Sequence, residues 1–580
     1  MNQSPFRTPS PLLASSLALV LAAGALPHGV AAQSAFSAEL DDLSPAERVI
    51  ALGQTDNRVQ EHLDYLTNGI GHRLTSSSNL TRACEWAAAQ FRSFGLEAWI
   101  EEWGTFPVGF ERGRQAGGMV VPEEIAYTYR TPAWTPGTPG PVRGRAVLEP
   151  KTEEDLADLE GRLEGAWLVR RSGGVPRSLR GQIQEAVSAA GIAGEVRKGG
   201  DRIVVFGDQN VDWEELPTLV SVRLLNDHYE DLVERLEEGQ SVELEFDVDN
   251  RFVPGPVPLY NVVADLKGSE LPDEYVIVGG HIDSWHAATG TNDNGTGVAT
   301  TLEAARLLAA SGVRPKRTIR FMLWSGEEQG LLGSRAYVKA HPELMPKISA
   351  VLVHDKGTNY LSGISVPKTL AEDLRRVFAP VADLDPEMPF TVSENEGLSR
   401  MMGSSDHASF LREGVPGLFW EQDGRTRYGD FWHTHFDTFD SAVPEYQRHS
   451  AIVAAVGALG IANLDRLLER DGLFRSGGSR SRATRRVMGV RLSGTEISRV
   501  TDGGMAEKAG WQAGDVILSI NDAEVANRAE IVRELQQGGP VKVFKLQRGE
   551  EVVESTLDYT DTPSEKAREE AAAEKEKKNL

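Results

Sequence analysis

Three short stretches decide the fold of this chain: YVIVGGHID at residues 275–283, IRFMLWSGEE at residues 319–328 and AVLVHD at residues 350–355. Each opens with mostly apolar residues and closes with His, Asp or Glu. Segments with a helical spacing of apolar side chains, such as residues 298–310, lie between them. Short buried strands that alternate with helices predict an α/β fold, in which a mixed, mostly parallel sheet is sandwiched by helices.

The ends of these strands carry side chains that could bind a metal. Ligands bind outside the carboxyl ends of the strands in open α/β sheets, so we expect His281, Glu328 and Asp355 to meet at one crevice. Asp293 precedes the next helix, where its carboxylate either caps the helix or holds a metal ion. Further along, the stretch WHTHFDT at residues 432–438 supplies more imidazoles.

The composition restricts the kind of metal site. With a single cysteine, Cys84, the chain cannot form an intramolecular disulfide or a Cys-rich zinc site, so His and carboxylates must hold the metal. The charges suit two zinc ions, because three carboxylates and one bridging hydroxide offset them while two imidazoles stay neutral. Glu327 is left over beside this set and is expected to act as general base. Asp283, close after His281, is expected to orient that ligand.

Six motifs follow one another along this part of the chain: GHIDSWH (280–286), TNDNGTG (291–297), WSGEEQGLLGS (324–334), VHDKGT (353–358), SSDHASF (404–410) and WHTHFDT (432–438). In order and spacing they resemble the co-catalytic zinc peptidase family of aminopeptidases and carboxypeptidase Q (clan MH). The resemblance implies a zinc aminopeptidase/phosphorylase-hydrolase-like catalytic domain, split between residues 44–110 and 251–470.

The resemblance also implies a role for each candidate residue. His281 and Asp355 would bind one zinc ion, Glu328 and His433 the other, and Asp293 would bridge the two. Glu327 matches the general base of the family, and Asp283 matches its orienting aspartate. The family pattern His-Thr-x-x-Asp-Thr is met by His433, which leaves His435 either as a residue lining the pocket or as a polar loop residue.

Residues 111–250, called the insertion below, differ in composition from their surroundings. They contain the Pro/Gly-rich stretch TPAWTPGTPGPVRG at residues 131–144, several short strand-like runs and one helix-like segment at residues 182–190. This pattern predicts a β-rich domain inserted into the catalytic domain. The insertion loosely resembles a protease-associated domain. Two roles stay open: a lid that narrows access to the site, or a passive packing module.

The C-terminal part of the chain is predicted to form a separate module. Residues 471–486 are rich in Ser, Gly and Arg and indicate a linker. The stretch AEKAGWQAGDVILSIN at residues 506–521 resembles a bacterial PDZ domain, which would span residues 487–558. The resemblance implies that a loop catches the terminal carboxylate of a peptide partner, unless the module is a structural appendage. That loop would comprise Val487, Met488, Gly489 and Val490.

The two ends of the chain and its charge indicate where the protein works. Residues 1–32 read as a signal peptide with cleavage after Ala32, which predicts export to the periplasm or the extracellular space and no membrane span after cleavage. Residues 559–580 are highly charged and are expected to form a tail that is either disordered or a lone frayed helix. The 61 Lys and Arg against 85 Asp and Glu argue against nucleic-acid binding, which needs a basic face.

These observations predict an exported di-zinc exopeptidase that hydrolyses short peptides or chain ends, first of all an aminopeptidase or a dipeptidase. Carboxypeptidase activity stays open. Two alternatives use the same fold, namely a non-catalytic peptide-binding scaffold and a zinc-dependent acyl transferase of the glutaminyl cyclase type. The complete set of ligands and the retained base favour the peptidase.

Overall fold

A computed structural model of the chain describes residues 42–399, 403–475, 486–501, 503–549, 551–566 and 568. The predicted signal peptide lies outside the described residues, as do residues 476–485 of the predicted linker and residues 569–580 of the predicted tail. In the part of the chain that is described, no helix is both long and apolar enough to cross a lipid bilayer.

The strands of the described residues are, in chain order, β1 Glu97–Val121, β2 Ile125–Ala126, β3 Tyr129–Arg130, β4 Val142–Leu148, β5 Trp167–Val169, β6 Gly194–Gly200, β7 Ser221–Leu225, β8 Glu243–Leu266, β9 Leu271–His281, β10 Arg317–Trp324, β11 Ile348–Val353, β12 Tyr360–Pro367, β13 Thr391–Asn395, β14 Gly417–Asp423, β15 Val490–Ser493, β16 Glu496–Val500, β17 Val516–Ile520, β18 Ala523–Glu524, β19 Val541–Arg548 and β20 Glu551–Asp558.

The α-helices are Pro45–Thr55, Val59–Asp64, Ser78–Ser93, Glu153–Ala157, Arg177–Ala190, Asn226–Glu237, Thr296–Ala310, Leu332–Ala340, Lys368–Phe378, His407–Arg412, Tyr428–Phe431, Pro444–Ala462, Met505–Lys508 and Arg528–Gln536. Tyr65–Ile70 forms a wide π-helical turn, and Thr291–Gly295 forms a turn in which Asp293 and Asn294 depart from helical backbone angles. Tighter 3-10 turns are found at Trp213–Glu215, Met345–Lys347, Ala379–Val381 and Phe439–Ser441.

A mixed sheet forms the centre of the α/β domain, as predicted. Its strands lie in the order β13-β12-β14-β11-β9-β10-β8. The middle strand, β9, runs parallel to both β10 and β11, and β11 runs parallel to β14. The strands β8 and β12 run antiparallel to their neighbours β10 and β14. The three stretches that decide the fold are therefore adjacent parallel strands.

The apolar runs bury both faces of this sheet because successive side chains point to opposite sides. Val276 and Val278 of β9 pack on the face covered by the helices Thr296–Ala310 and Pro444–Ala462. Ile277, between them, packs on the other face with residues of the helix Leu332–Ala340. A sheet covered on both sides explains why these strands show continuous apolar runs rather than alternation.

A long antiparallel ribbon carries the insertion. The strands β1 and β8 pair from Glu97 opposite Asp265 to Val121 opposite Glu243, with several register shifts along the way. One end of the ribbon belongs to the central sheet, and the other end continues into the insertion, where β8 pairs with β4. The insertion is therefore connected to the central sheet by paired strands and not by loops alone.

The insertion contains more helix than its composition suggested. Its strands β4, β5, β6 and β7 are parallel neighbours. The helix Glu153–Ala157 lies between β4 and β5 in sequence, Arg177–Ala190 lies between β5 and β6, and Asn226–Glu237 follows β7. The helix Arg177–Ala190 buries Leu179, Ile183 and Val187, which are spaced four residues apart. This part of the β-rich prediction is thus replaced by an α/β arrangement, because parallel strands need crossover connections.

The C-terminal module is a second sheet. The strands β15-β16-β17-β19-β20 are antiparallel, and β18 pairs with β17. Trp511 and Phe544 contact each other in its core at a ring-centroid distance of 4.8 Å. The helix Arg528–Gln536 contributes Ile531 and Leu535 to the same core.

The segment predicted as a disordered tail begins as an ordered part of this module. Tyr559 is buried in its core, and residues 563–566 are helical. Glu565 accepts hydrogen bonds from Arg486 at 2.7 and 2.8 Å, and both side chains are buried. The prediction is wrong for these residues because charge alone does not reveal that a buried arginine requires an acidic partner.

Candidate active site

The carboxyl ends of three neighbouring strands build one wall of the candidate site. His281 is the last residue of β9, Glu328 follows β10, and Asp355 follows β11. Because these strands are parallel, their ends reach the same edge of the sheet, where His281 Nε2 lies 3.2 Å from Asp355 Oδ1. All three side chains are almost fully withdrawn from solvent. The structure brings together the residues that the strand ends predicted.

Asp293 enters the site from the turn Thr291–Gly295, directly before the helix Thr296–Ala310. It does not cap that helix; Asn294 Oδ1 accepts the hydrogen bond from Gly297 N at 3.2 Å instead. Asp437 holds the turn by accepting hydrogen bonds from the backbone N–H groups of Asn292, at 2.5 Å, and of Asp293, at 3.2 Å. The carboxylate of Asp293 is thereby left free to face the imidazoles.

Two groups of three ligand atoms share Asp293. In the first, His281 Nε2 lies 3.3 Å from Asp293 Oδ1 and also faces Asp355. In the second, His433 Nε2 lies 3.2 Å from Asp293 Oδ2 and 2.9 Å from Glu328 Oε2. Each oxygen of Asp293 therefore faces a different histidine. Such an arrangement can hold two cations that share one carboxylate.

Opposing electrostatic effects act on the two histidines. Burial lowers the pKa of His433, but the charges of Glu328 and Asp293 outweigh burial and raise this pKa to about 9. Burial likewise opposes the charges of Asp355 and Glu327 at His281, whose pKa ends well above its ordinary value. Both increases in histidine pKa indicate an excess of negative charge in the site.

The carboxylates show the same excess. Burial, together with the neighbouring charge of Asp293, raises the pKa of Glu328 to about 7. Asp293 Oδ2 and Glu328 Oε1 are buried without a hydrogen-bond donor. Acceptor oxygens without donors, beside imidazole nitrogens that each face two carboxylates, fit a divalent cation, and mixed nitrogen and oxygen ligands suit zinc.

Asp283 organises the residues around this set. Its two carboxylate oxygens accept hydrogen bonds from the backbone N–H groups of Glu327, at 3.3 Å, and Glu328, at 3.2 Å. Its Oδ1 also lies 3.6 Å from His281 Nδ1, and Thr75 donates to its Oδ2 at 3.2 Å. One buried carboxylate thus fixes a histidine from the end of β9 relative to the loop that follows β10.

Glu327 is a partly buried carboxylate that belongs to neither ligand group. Burial raises the pKa of Glu327 well above its ordinary value, opposed by the charge of His281 and reinforced by those of Asp355 and Glu328. A carboxyl group with a raised pKa beside a cation site is suited to exchanging a proton near neutral pH.

The insertion reaches into the site along the loop that carries His433. Val205 N donates to the backbone oxygen of His433 at 2.9 Å, and Val204 forms an antiparallel bridge with Thr434. The ring of Phe206 stands edge-on to the imidazole of His433, with 4.9 Å between the ring centroids. His433 itself has a φ of 58°, a left-handed conformation that costs a non-glycine residue about 1–2 kcal/mol.

The other candidate histidines lie near the site with separate partners. His435 Nδ1 accepts a hydrogen bond from Ile203 N of the insertion at 3.2 Å, so His435 contacts the insertion rather than the ligand groups. His286 and His354 are buried, with His286 Nε2 placed 3.0 Å from Thr131 O and His354 Nε2 placed 3.1 Å from Gln422 Nε2. Burial raises the pKa of Asp406 to about 7, opposed by the charge of His281.

Sequence reasoning missed three residues at this site. Arg73 is fully buried, and its guanidinium donates to the backbone oxygens of Ile282, Thr289 and Gly290, which fixes the loop beside Asp293. Tyr428 lies among the carboxylates, and burial raises the pKa of its hydroxyl well above the ordinary value. Phe206 comes from the insertion. Arg73 and Tyr428 follow no apolar run, and Phe206 follows one (residues 203–205) but is not a residue type that binds metals, so none carries the signal that revealed the ligands.

The predicted carboxylate-binding loop of the C-terminal module lies at the start of β15. Val487 is 62% exposed, whereas Met488 is buried in the core of the module. Gly489 has a φ of 83°, which glycine adopts readily, and Val490 opens the strand. The exposed loop and the adjoining strand edge are compatible with the predicted peptide-binding role.

Comparison with known proteins agrees with this geometry. Residues 261–457 match peptidase family M28, and residues 496–548 match a PDZ domain. Carboxypeptidase Q of Mus musculus is 28% identical over 445 residues, which cover 75% of this chain and 92% of that protein. Leupeptin-inactivating enzyme 1 of Streptomyces exfoliatus is 36% identical over 166 residues, covering 28% of this chain and 35% of that enzyme.

A solved structure has the same fold. The crystal structure of a peptidase M28 precursor from Shewanella amazonensis SB2B has 25% sequence identity and a TM-score of 0.53, and the match covers 73% of this chain and 97% of that chain. The ligand groups described above, which come from residues 281 to 433, lie within the region that matches the family, residues 261–457. Residues 261–457 thus form a domain of peptidase family M28, the co-catalytic zinc peptidases, so the protein is a metallopeptidase, and a PDZ domain follows at residues 496–548.

Proposed function

We propose that this metallopeptidase is an exported exopeptidase that uses two zinc ions to hydrolyse short peptides, as an aminopeptidase or a dipeptidase. One observation carries the proposal: the two oxygens of Asp293 face two different histidines, and each histidine faces a further carboxylate. A site for a single metal ion would not need two separate pairs of a histidine and a carboxylate around Asp293.

The proposed ligands divide between the two ions. His281 and Asp355 would hold one zinc ion, Glu328 and His433 the other, and Asp293 both. Bound zinc supplies Lewis-acid chemistry, which polarises the scissile carbonyl and makes water more acidic. Through the contacts described above, Asp283 holds the backbone of Glu327 and Glu328 at a fixed position relative to His281.

Glu327 is the proposed general base. A carboxylate oxygen of Glu327 takes the proton from the attacking water and passes it to the nitrogen of the leaving amine. The raised pKa of this partly buried carboxyl supports both halves of the transfer, because the group can hold a proton between the two steps. Tyr428 is a proposed hydrogen-bond donor near the carboxylates, since their charges and burial keep its hydroxyl protonated.

The domains have proposed roles of their own. The catalytic domain would comprise residues 44–110 and 251–470, the insertion residues 111–250, and the PDZ domain residues 487–558. Because Phe206 and Val205 contact the loop of His433, the insertion is proposed as a lid that limits access to short peptides. The PDZ domain would bind the C-terminus of a partner peptide, and residues 1–32 would direct export.

The proposal is tested with zinc-loaded protein and three sets of substrates: free dipeptides, N-blocked dipeptides and C-amidated dipeptides. Hydrolysis of free dipeptides with loss of activity on N-blocked ones is expected. A protein that binds zinc but hydrolyses none of the three sets would be a scaffold. Cyclisation of N-terminal glutamine without hydrolysis would assign the acyl transferase reaction instead.

A further inference from the structure

The edge of the PDZ sheet carries two arginines side by side. In the order β15-β16-β17-β19-β20, the strand β15 is terminal, so one of its edges has no neighbouring strand among the residues that the structure describes. Arg491 of β15 lies directly opposite Arg499 of β16, and both residues are exposed. We call Arg491 and Arg499 the arginine pair.

The arginine pair has no carboxylate partner within the described part of the chain. Neither guanidinium forms an ion pair or a hydrogen bond there. The one carboxylate on the two strands, that of Glu496, contacts the guanidinium of Arg177 in the insertion at 3.1 Å instead. The positive charges of the pair are therefore open to a ligand from solution.

The arrangement of the pair costs stability, because like charges directly opposite each other destabilise adjacent strands. Other cations of this domain have carboxylate neighbours: Arg548 lies 2.7 Å from Asp515, and Lys545 lies 3.4 Å from Asp522. A negatively charged ligand along the edge of β15 would supply the arginine pair with the complementary charge that its own strands do not provide.

The two faces of β15 differ in chemistry. Val490 and Leu492 pack against the core of the domain, to which the helix Arg528–Gln536 contributes. Because successive side chains of a strand point to opposite faces, Arg491 lies on the face away from that core. The edge of β15 thus separates an apolar face from a basic one.

A bound peptide would sample both faces. A peptide whose terminal carboxylate is held at residues 487–490 extends along β15 as an added strand. Counted back from the C-terminal residue as position 0, position 0 would lie beside Val490 on the apolar face. Positions −1 and −3 would then lie on the opposite face, with the arginine pair, because side chains of the added strand alternate as well.

We propose that the arginine pair selects partner peptides with acidic residues at positions −1 and −3. The inference rests on the proposed peptide-binding role of the PDZ domain and names the class of peptide that it takes. Guanidinium groups bind carboxylates through charge-assisted hydrogen bonds, and a carboxylate beside both arginines offsets their mutual repulsion. The partner is therefore an acidic C-terminus with an apolar last residue.

The test measures the binding of three fluorescein-labelled peptides to the full chain carrying Glu327→Gln, with mass spectrometry to verify that each peptide stays intact. The acidic peptide, Gly-Ala-Glu-Ala-Glu-Leu, has Glu at positions −1 and −3, and the neutral peptide has Gln at both. The shifted peptide, Gly-Glu-Ala-Glu-Ala-Leu, has the same composition with Glu at positions −2 and −4. The acidic peptide should bind about fivefold more tightly than either of the others, as expected for two exposed ion pairs.

Variants of the arginine pair assign this preference to its residues. Arg491→Gln and Arg499→Gln should each reduce the ratio of the affinities for the acidic and neutral peptides, and the double variant should bring it close to one. Arg528→Gln removes an exposed arginine from the helix Arg528–Gln536 and is the matched control, which should keep the ratio.

Each contrary result has a distinct meaning. Equal binding of the acidic and neutral peptides would overturn the acidic preference while the peptide-binding role of the domain stands. Tighter binding of the shifted peptide, or a preference that survives in the double variant, would overturn the assignment to the arginine pair. Binding of none of the peptides at millimolar concentration would contradict the peptide-binding role itself and the proposal with it.

Discussion

Val205 of the insertion donates its backbone N–H to the backbone oxygen of His433 at 2.9 Å. The next residue, Phe206, places its ring against the imidazole of His433. Together these contacts hold a histidine whose backbone is in the left-handed region. The insertion therefore acts on the position of a candidate zinc ligand that lies outside its own sequence.

Replacing Phe206 by Ala should weaken zinc binding at the site of Glu328 and His433. Contacts that orient a metal ligand are typically worth about 10–100-fold in metal affinity, and we expect about tenfold here. Zinc affinity is measured by competition with a chromophoric chelator, and one of the two sites should weaken. Trp213→Ala is the control, because Trp213 is 40% exposed on the insertion and makes no ring contact in the described structure. Equal affinities for the wild type and Phe206→Ala would contradict a positioning role.

Replacing Glu327 by Gln should remove activity and leave the zinc content intact. The amide keeps the shape of the side chain but cannot take a proton, so kcat should fall by about 10²–10⁴-fold. Zinc is measured by atomic absorption on the same samples. Glu343→Gln, at an exposed residue, serves as control and should retain full activity. Peptidase activity near the wild-type level in Glu327→Gln would remove this residue from the mechanism.

Asp293→Asn should reduce zinc binding more than either Glu328→Gln or Asp355→Asn. Asp293 is common to both ligand groups, whereas each of the other two belongs to one. The single-group variants should each keep one tightly bound ion per chain. Since bound metal stabilises the folded state by mass action, the increase of Tm on adding zinc should be smallest for Asp293→Asn. Equal losses in all three variants would argue against a shared ligand.

His449 should make the protein less stable as the pH falls from 7 to 5. Burial lowers the pKa of His449 to about 4, although the charge of Asp385 opposes this shift. The folded pKa lies below the unfolded value near 6.5, so only the unfolded chain gains a proton in this range. The contribution is fully favourable above the unfolded pKa, and about 2 kcal/mol of it should be lost at pH 5.

Urea unfolding at several pH values measures this effect. Between pH 7 and 5 the free energy of unfolding of His449→Gln should fall less than that of the wild type, and the difference should equal the contribution of His449. Ser450→Ala, at a buried neighbour that does not titrate, should shift the curve without changing its slope. Parallel curves for the wild type and His449→Gln would show that His449 is protonated without cost to the fold.

Glu565→Ala should destabilise the PDZ domain strongly. Arg486 is 1% exposed and loses its only carboxylate partner among the described residues in this variant, so about 3–5 kcal/mol is expected. Hydrogen exchange across residues 490–558 of the full chain reports the change locally. Replacing both members by apolar residues, Arg486→Met with Glu565→Leu, should be milder because no unpaired charge remains. A larger loss in the double variant would contradict this explanation.

Much of the site could be predicted because its chemistry follows directly from local sequence. His281, Glu328 and Asp355 come immediately after apolar strands, and parallel pairing brings such residues together by topology alone. Asp293 was ambiguous, since one carboxylate before a helix suits both a cap and a metal. The structure resolves the ambiguity, because Asn294 Oδ1, and not the carboxylate of Asp293, accepts a hydrogen bond from an N–H group at the start of the helix.

Other features depend on contacts between residues far apart in the chain. Phe206 and Arg130 lie in the insertion, and nothing near them in sequence indicates contact with the loops that carry His433 and Ala287. The same limit explains the tail: the burial of Glu565 depends on Arg486, which precedes the PDZ domain. The helices of the insertion were detectable, since the spacing of Leu179, Ile183 and Val187 was present in the sequence.

The paired strands β1 and β8 have a further consequence for how such a protein could arise. Glu111 lies directly opposite Arg251 in the ribbon, so the chain leaves the central sheet and returns to it at adjacent points. A tight hairpin could join these two positions without moving any strand of the sheet. Residues 112–250 could thus have been gained or lost by an ancestral gene in a single insertion or deletion. Such an event would leave the candidate zinc ligands at the ends of β9, β10 and β11 in place.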